Sequence, residues 1–165
     1  MRAALALLLL VGCGKSAPTS SAPSASLLSV DFTFNNSESS KDSHDSIERF
    51  RLADGVLSWE TETTGYGEDE IPKEKGQLAL DEKDLQRLID MTTTLGLIDD
   101  FTSEVGSPGI GTSAIIDAVI TVQGKTGRSH SIHHRPWNGP QIEAPDKHRQ
   151  LMTFRDALAT LRERR

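Results

Sequence analysis

The chain has 165 residues, 36% of them hydrophobic and 25% charged, with a formal net charge of −6. That is enough apolar material for one core, and it excludes a protein that holds nucleic acid through a broadly basic surface. The charge is uneven: residues 38–104 carry 18 acidic and 7 basic side chains, whereas residues 124–165 carry 4 and 9.

Met1-Arg2 gives a short basic start, and residues 3–11 form an apolar run. A bilayer span needs ~20 apolar residues, so this run predicts a signal peptide and not an anchor helix. It ends in Leu10-Val11-Gly12-Cys13. These four residues resemble the lipobox of bacterial lipoproteins, with Leu10, Val11 and Gly12 as signal-recognition positions and Cys13 as the acceptor. The resemblance implies removal of residues 1–12, a diacylglyceryl group on the Cys13 sulfur, and a fatty acyl group such as palmitate on its new amino group. It implies a place in the cell envelope, anchored to membrane through Cys13. Gly14 stands where an Asp would signal inner-membrane retention, which favours the outer membrane facing the periplasm, with the cell surface as the other placement. Each buried methylene contributes ~0.8 kcal/mol, so two or three chains anchor permanently. Cys13 is the only cysteine, so the fold must hold without a disulfide.

Residues 13–29 are rich in Ser, Ala, Thr and Pro, have nothing to bury and predict a disordered spacer. Such a stretch spans ~20 Å on average and at most ~50 Å. Residues 30–165 then read as a single α+β domain. Val30, Phe32 and Phe34 alternate with polar neighbours, predicting a strand, and residues 35–46 read as a polar loop. Alternating runs on both sides of Asp54-Gly55 predict a hairpin, because both turn residues tolerate positive φ. Residues 65–75, with Glu68-Asp69-Glu70, read as an acidic loop lacking the spaced ligands of a calcium loop.

Asp81 predicts the cap of a helix over residues 82–95, with Glu82 and Asp84 in its first turn and Leu80 and Leu85 as a hydrophobic staple. Leu85, Leu88, Ile89, Thr92 and Leu95 share one face, and Gly96 ends it. Residues 102–112 read as a Ser/Gly/Pro loop, residues 114–122 as an apolar central strand, residues 123–127 as a turn and residues 128–134 as the returning strand. A terminal helix begins near Pro145 or Asp146, with Leu151, Phe154, Leu158 and Leu161 as its buried stripe. The expected architecture is an antiparallel sheet of about five strands, in the order β-β-β-α-β-β-α, with both helices on one face.

Little in this domain predicts chemistry. Gly109-Ile110-Gly111-Thr112-Ser113-Ala114 fits a dinucleotide pattern nominally, but a strand follows where a helix would be required. There is no nucleophile elbow, phosphate loop or H-E-x-x-H pair, and no cofactor is implied. His130, His133 and His134 are weak metal candidates: on one strand His130 and His134 share a face ~13 Å apart, and His133 points the other way. Tyr66, Trp137 and Asn138 place aromatics in polar loops, the setting of a binding loop. In layout the domain is similar to small bacterial lipoprotein domains with a ββαββα order, and in element order and size to emfourin-type metalloprotease inhibitors, whose inhibitory residues have no match here. The leading reading is a lipid-anchored, non-catalytic interaction module with an envelope protein as partner and no nucleic acid. The alternatives are a metal-assisted envelope hydrolase using residues 130–134 and a metalloprotease inhibitor of the emfourin type.

Overall fold

The computed structural model describes residues 27–38, 44–65 and 73–164. The Leu10-Val11-Gly12-Cys13 motif, most of the spacer, Tyr66 and Glu68-Asp69-Glu70 lie outside them. The elements are β1 (Leu28–Glu38), β2 (His44–Ala53), β3 (Val56–Gly65), β4 (Glu74–Ala79), α1 (Glu82–Thr94), β5 (Phe101–Val105), β6 (Gly111–Val122), β7 (Lys125–Pro136) and α2 (Asp146–Arg162). They form one seven-stranded sheet in the order β4-β3-β2-β1-β6-β7-β5.

The expected five antiparallel strands are therefore seven, in a mixed sheet. Every neighbouring pair is antiparallel except β5 with β7. The two additions are the short edge strands. The first, β4, lies where the composition is charged and glycine-containing, and it forms because Gly76 leaves room for the Trp59 ring: a Cβ there would come within 2.3 Å of it. The second, β5, replaces the start of the expected Ser/Gly/Pro loop. The chain leaves one edge at β4, runs through α1 and joins the opposite edge at β5. That crossover makes β5 parallel to its neighbour.

Two further boundaries differ. Residues 35–38 continue β1 instead of looping, since β6 pairs with all four and β2 with Asn35 and Asn36 whatever their side chains are, and residues 44–46 of the expected loop begin β2. The turn expected over residues 123–127 is only Gln123-Gly124, with φ of 50° and 81°, matching Asp54-Gly55 at 50° and 75°. Positive φ at both positions gives each hairpin the twist of its strands.

One face of the sheet is apolar. Val30, Phe32 and Phe34 of β1, Phe50 and Leu52 of β2, Leu57 and Trp59 of β3, and Ile116, Ala118 and Ile120 of β6 are buried there, beneath Leu85, Leu88 and Ile89 of α1 and Leu151, Phe154 and Leu158 of α2. Each fully buried Leu, Ile or Phe contributes roughly 1.5–3 kcal/mol, so this layer carries the fold without a covalent link. Both helices lie on that face, as expected. Among the described residues nothing covers the other face, which bears Asp31, Arg49, Arg51 and Asp117. No helix among the described residues is long and apolar enough to cross a membrane.

The first helix forms as its sequence predicts. Asp81 accepts the Asp84 N–H at 2.8 Å, and at the other end Gly96 takes φ of 60°. The Gly96 and Leu97 N–H groups then return to the Thr93 and Thr92 carbonyls, which folds Leu97 into the core. The second helix is tied down by charge as well. Glu48, on the buried face of β2, accepts from Arg155 Nε at 2.6 Å and Arg162 Nη1 at 3.4 Å. The same guanidinium groups lie over the Phe34 and Phe50 rings at 5.0 and 6.0 Å.

Candidate functional site

The register gives the sheet two unlike ends. Leu28, where β1 starts, pairs with Val122, and Glu38, where β1 ends, pairs with Thr112. They are the first and last of the eleven residues of β1, and the steps between them, at ~3.3 Å each, make roughly 35 Å. Beside Leu28 the chain turns twice in two residues, at Asp54-Gly55 and Gln123-Gly124. At the far end residues 106–110 join β5 to β6, and residues 137–145 join β7 to α2.

Those two far connections lie side by side, because Gly111 pairs with Pro136 and the Trp137 N–H donates to the Ile110 carbonyl at 3.2 Å. They carry three of the five exposed large hydrophobic side chains among the described residues: Ile110 at 70%, Trp137 at 47% and Ile142 at 46%. The longer connection is braced from within. Gln141 Nε2 donates to the Pro136 carbonyl at 2.7 Å, and Arg149 Nη1 to the Ala144 carbonyl at 2.7 Å. Apolar side chains held out on braced loops are the usual composition of a contact surface. Asn138 is exposed beside Trp137. Ile110 and Ile142 escape a sequence reading because isolated isoleucines in Gly/Pro-rich stretches look like ordinary loop residues; their apolarity in a segment with no periodicity is the only signal.

The three histidines do not converge. His130 and His134 lie on the open face and His133 on the helix-covered face, as alternation on one strand requires. His130 Nδ1 donates to Asp117 Oδ1 at 2.7 Å. His133 Nε2 donates to the Ile142 carbonyl at 2.8 Å. His134 bonds Ser113 Oγ through Nδ1 at 2.8 Å and Glu104 Oε1 through Nε2 at 3.2 Å. Among the described residues no group of three His, Cys, Asp or Glu stands close enough to hold a metal ion.

The Ser113-His134-Glu104 line has the residue types of a hydrolytic triad, but it runs straight across β6, β7 and β5. Ser113 sits between paired strands, with Ser37 on one side and His134 on the other. The backbone N–H groups around it lie in the plane of the sheet within the ladder, so none is aimed at a developing oxyanion above Oγ. The line is a cross-strand brace.

The sequence does not foresee the setting of His148. It is 1% exposed in the first turn of α2, packed edge-on against His133 with ring centroids 5.4 Å apart. Burial first, and then the charge of His133 and Arg135, lowers its pKa to about 4.

Two open depressions stand out among the described residues. One of about 400 Å³ surrounds Asp117 and His130 on the open face, with Asp31, Thr33 and Arg128 at its sides. A larger one of about 1060 Å³ runs along the solvent side of α1 past Met91 and Leu95, between charged side chains of both signs. Neither gathers buried polar groups around a point where a small molecule could be oriented. No protein-family model matches the chain, and comparison with curated proteins finds no match to it.

Proposed function

We propose that the chain is a lipid-anchored, non-catalytic binding module of the bacterial cell envelope, whose binding surface is the loop end bearing Ile110, Trp137 and Ile142. The carrying observation is the position of that apolar group, at the end of the sheet opposite the start of β1. The lipobox-like residues supply the anchor in this reading, with Cys13 acylated and residues 13–27 as the tether, on the outer membrane. The tether then joins the domain at the end closed by tight turns. A rigid sheet of roughly 35 Å separates it from the loops. The loops are thus held towards neighbouring envelope proteins and not towards the anchor's own lipid.

The partner is accordingly a protein with an apolar pocket or groove. Two-step capture tests this: the wild-type domain and an Ile110→Ser/Trp137→Ser double variant are each presented to detergent-solubilised envelopes, and bound proteins are quantified. A protein enriched by the wild type and depleted at least tenfold by the double variant supports the reading. Equal capture by both, or capture of nothing by the wild type, removes it.

A further inference from the structure

The loop that carries Trp137 and Ile142 rests on a buried imidazole pair. Arg135 Nε donates to His133 Nδ1 at 3.3 Å, which leaves the His133 proton on Nε2, donated to the Ile142 carbonyl. His133 is 3% exposed and His148 1%. His148 Nδ1 shares a hydrogen bond with Ser131 Oγ at 2.9 Å, and its Nε2 is buried without a partner.

Among the described residues nothing around His148 welcomes a proton. The charged or titratable groups facing it are His133 and Arg135, both from β7. Opposite Ser131 and His133, β6 presents Ile116 and Ala114. Its neighbours on α2 are turned elsewhere: Lys147 donates to the Gly96 carbonyl, and Arg149 pairs with Asp146. The positive end of the α2 dipole adds to the penalty, since His148 is the third residue of that helix. The first turn of α2 has no side-chain cap, because Pro145 precedes it. The loop and this turn therefore cost less to lift than the sheet beneath, which is fixed by its ladder.

We propose that His133 and His148 form a pH-operated latch: a proton on His148 releases residues 137–149 from β7 while the sheet and the remainder of α2 stay folded. Release separates Trp137 and Ile142 from Ile110, so partner binding weakens in acid; only this consequence rests on the binding reading above. The sign follows from which form holds the proton. In the latched form His148 stays neutral down to about pH 4, whereas freed into water it titrates near pH 6.5. Opening is therefore indifferent to pH above that value and is favoured progressively as pH falls towards 4.

Amide hydrogen exchange on the full chain in detergent, corrected for intrinsic exchange rates, tests the latch without any partner. The opening equilibrium of residues 137–149 should rise about 30-fold from pH 7.5 to pH 5, with β1 and β6 unchanged. His148→Gln and His148→Phe should both be flat over that range. Absence of the rise, an equal rise in β1 and β6, or its persistence in both variants overturns the latch. Should the variants not fold, the wild-type His148 ring followed by NMR decides: it should remain neutral at pH 5.5, and titration near 6.5 with the loop still protected refutes the proposal. Because no partner is present, a failure here leaves the binding reading standing, and loss of the binding reading leaves this result untouched.

Discussion

The two ends of the sheet are built from the same strands and finished differently. At the end where β1 begins, two hairpins close in two residues, with Asp54-Gly55 and Gln123-Gly124 at positive φ, and Val56 beside the first turn is only 38% exposed. At the other, residues 106–110 and 137–145 extend beyond the sheet and hold apolar side chains in water. A tight turn specifies register; a longer connection costs little conformational entropy more and can carry contacts. In the reading proposed above, one end serves the fold and the other serves recognition.

The comparison can be broken most severely at the proposed tether. Cys13→Ala should abolish labelling by a fatty-acid analogue and move the protein out of the membrane fraction; persistent labelling would detach the tight-turn end from any anchoring role. Next comes the ionic clamp on the second half of α2. Glu48→Ala leaves Arg155 and Arg162 facing each other under α2, and should cost about 3–5 kcal/mol in denaturant unfolding. A cost below about 1 kcal/mol would mean that α2 is not held by that cluster.

Insertions sharpen the comparison directly. Three Gly/Ser residues placed between Gln123 and Gly124 should destabilise the domain by about 1–2 kcal/mol, through loss of the two-residue turn. The same insertion between Asn138 and Gly139 should cost about 0.3 kcal/mol. Similar costs at both places would erase the distinction. A comparably small effect on stability belongs to Ile110→Ser and Trp137→Ser, expected within about 0.5 kcal/mol of wild type because both side chains already meet water. A large loss would reveal them as packing residues.

Much of the fold is legible in the sequence where local chemistry and burial agree. The ends of α1 follow from Asp81, the Leu80 and Leu85 pair and Gly96, since each satisfies a helix terminus by itself. The Asp54-Gly55 hairpin and the Phe154 stripe of α2 are legible for the same reason. What stays hidden is decided at long range. β4 needs the Trp59 ring to fill the space over Gly76, β5 needs α1 to deliver it beside β7, and residues 35–38 are strand only because β1 is central. The site is legible in part. Trp137 is evident as an aromatic in a polar loop, and the facing of His130, His133 and His134 follows from alternation. Ile110 becomes its neighbour only through the pairing of Gly111 with Pro136, and His148 meets His133 only because α2 folds back over β7. Glu48 shares the face of Phe50 and Leu52 by alternation, but its partners are two arginines more than a hundred positions later, which no local pattern pairs with it.

The most direct test of the account places one photo-crosslinking residue at Trp137 and, in a second protein, the same residue at Gln123, and irradiates both in intact cells. The account predicts a discrete protein adduct from position 137, lost when Ile110→Ser is added, and none from position 123. Matching adducts from both positions, or an adduct from position 123 alone, would contradict it.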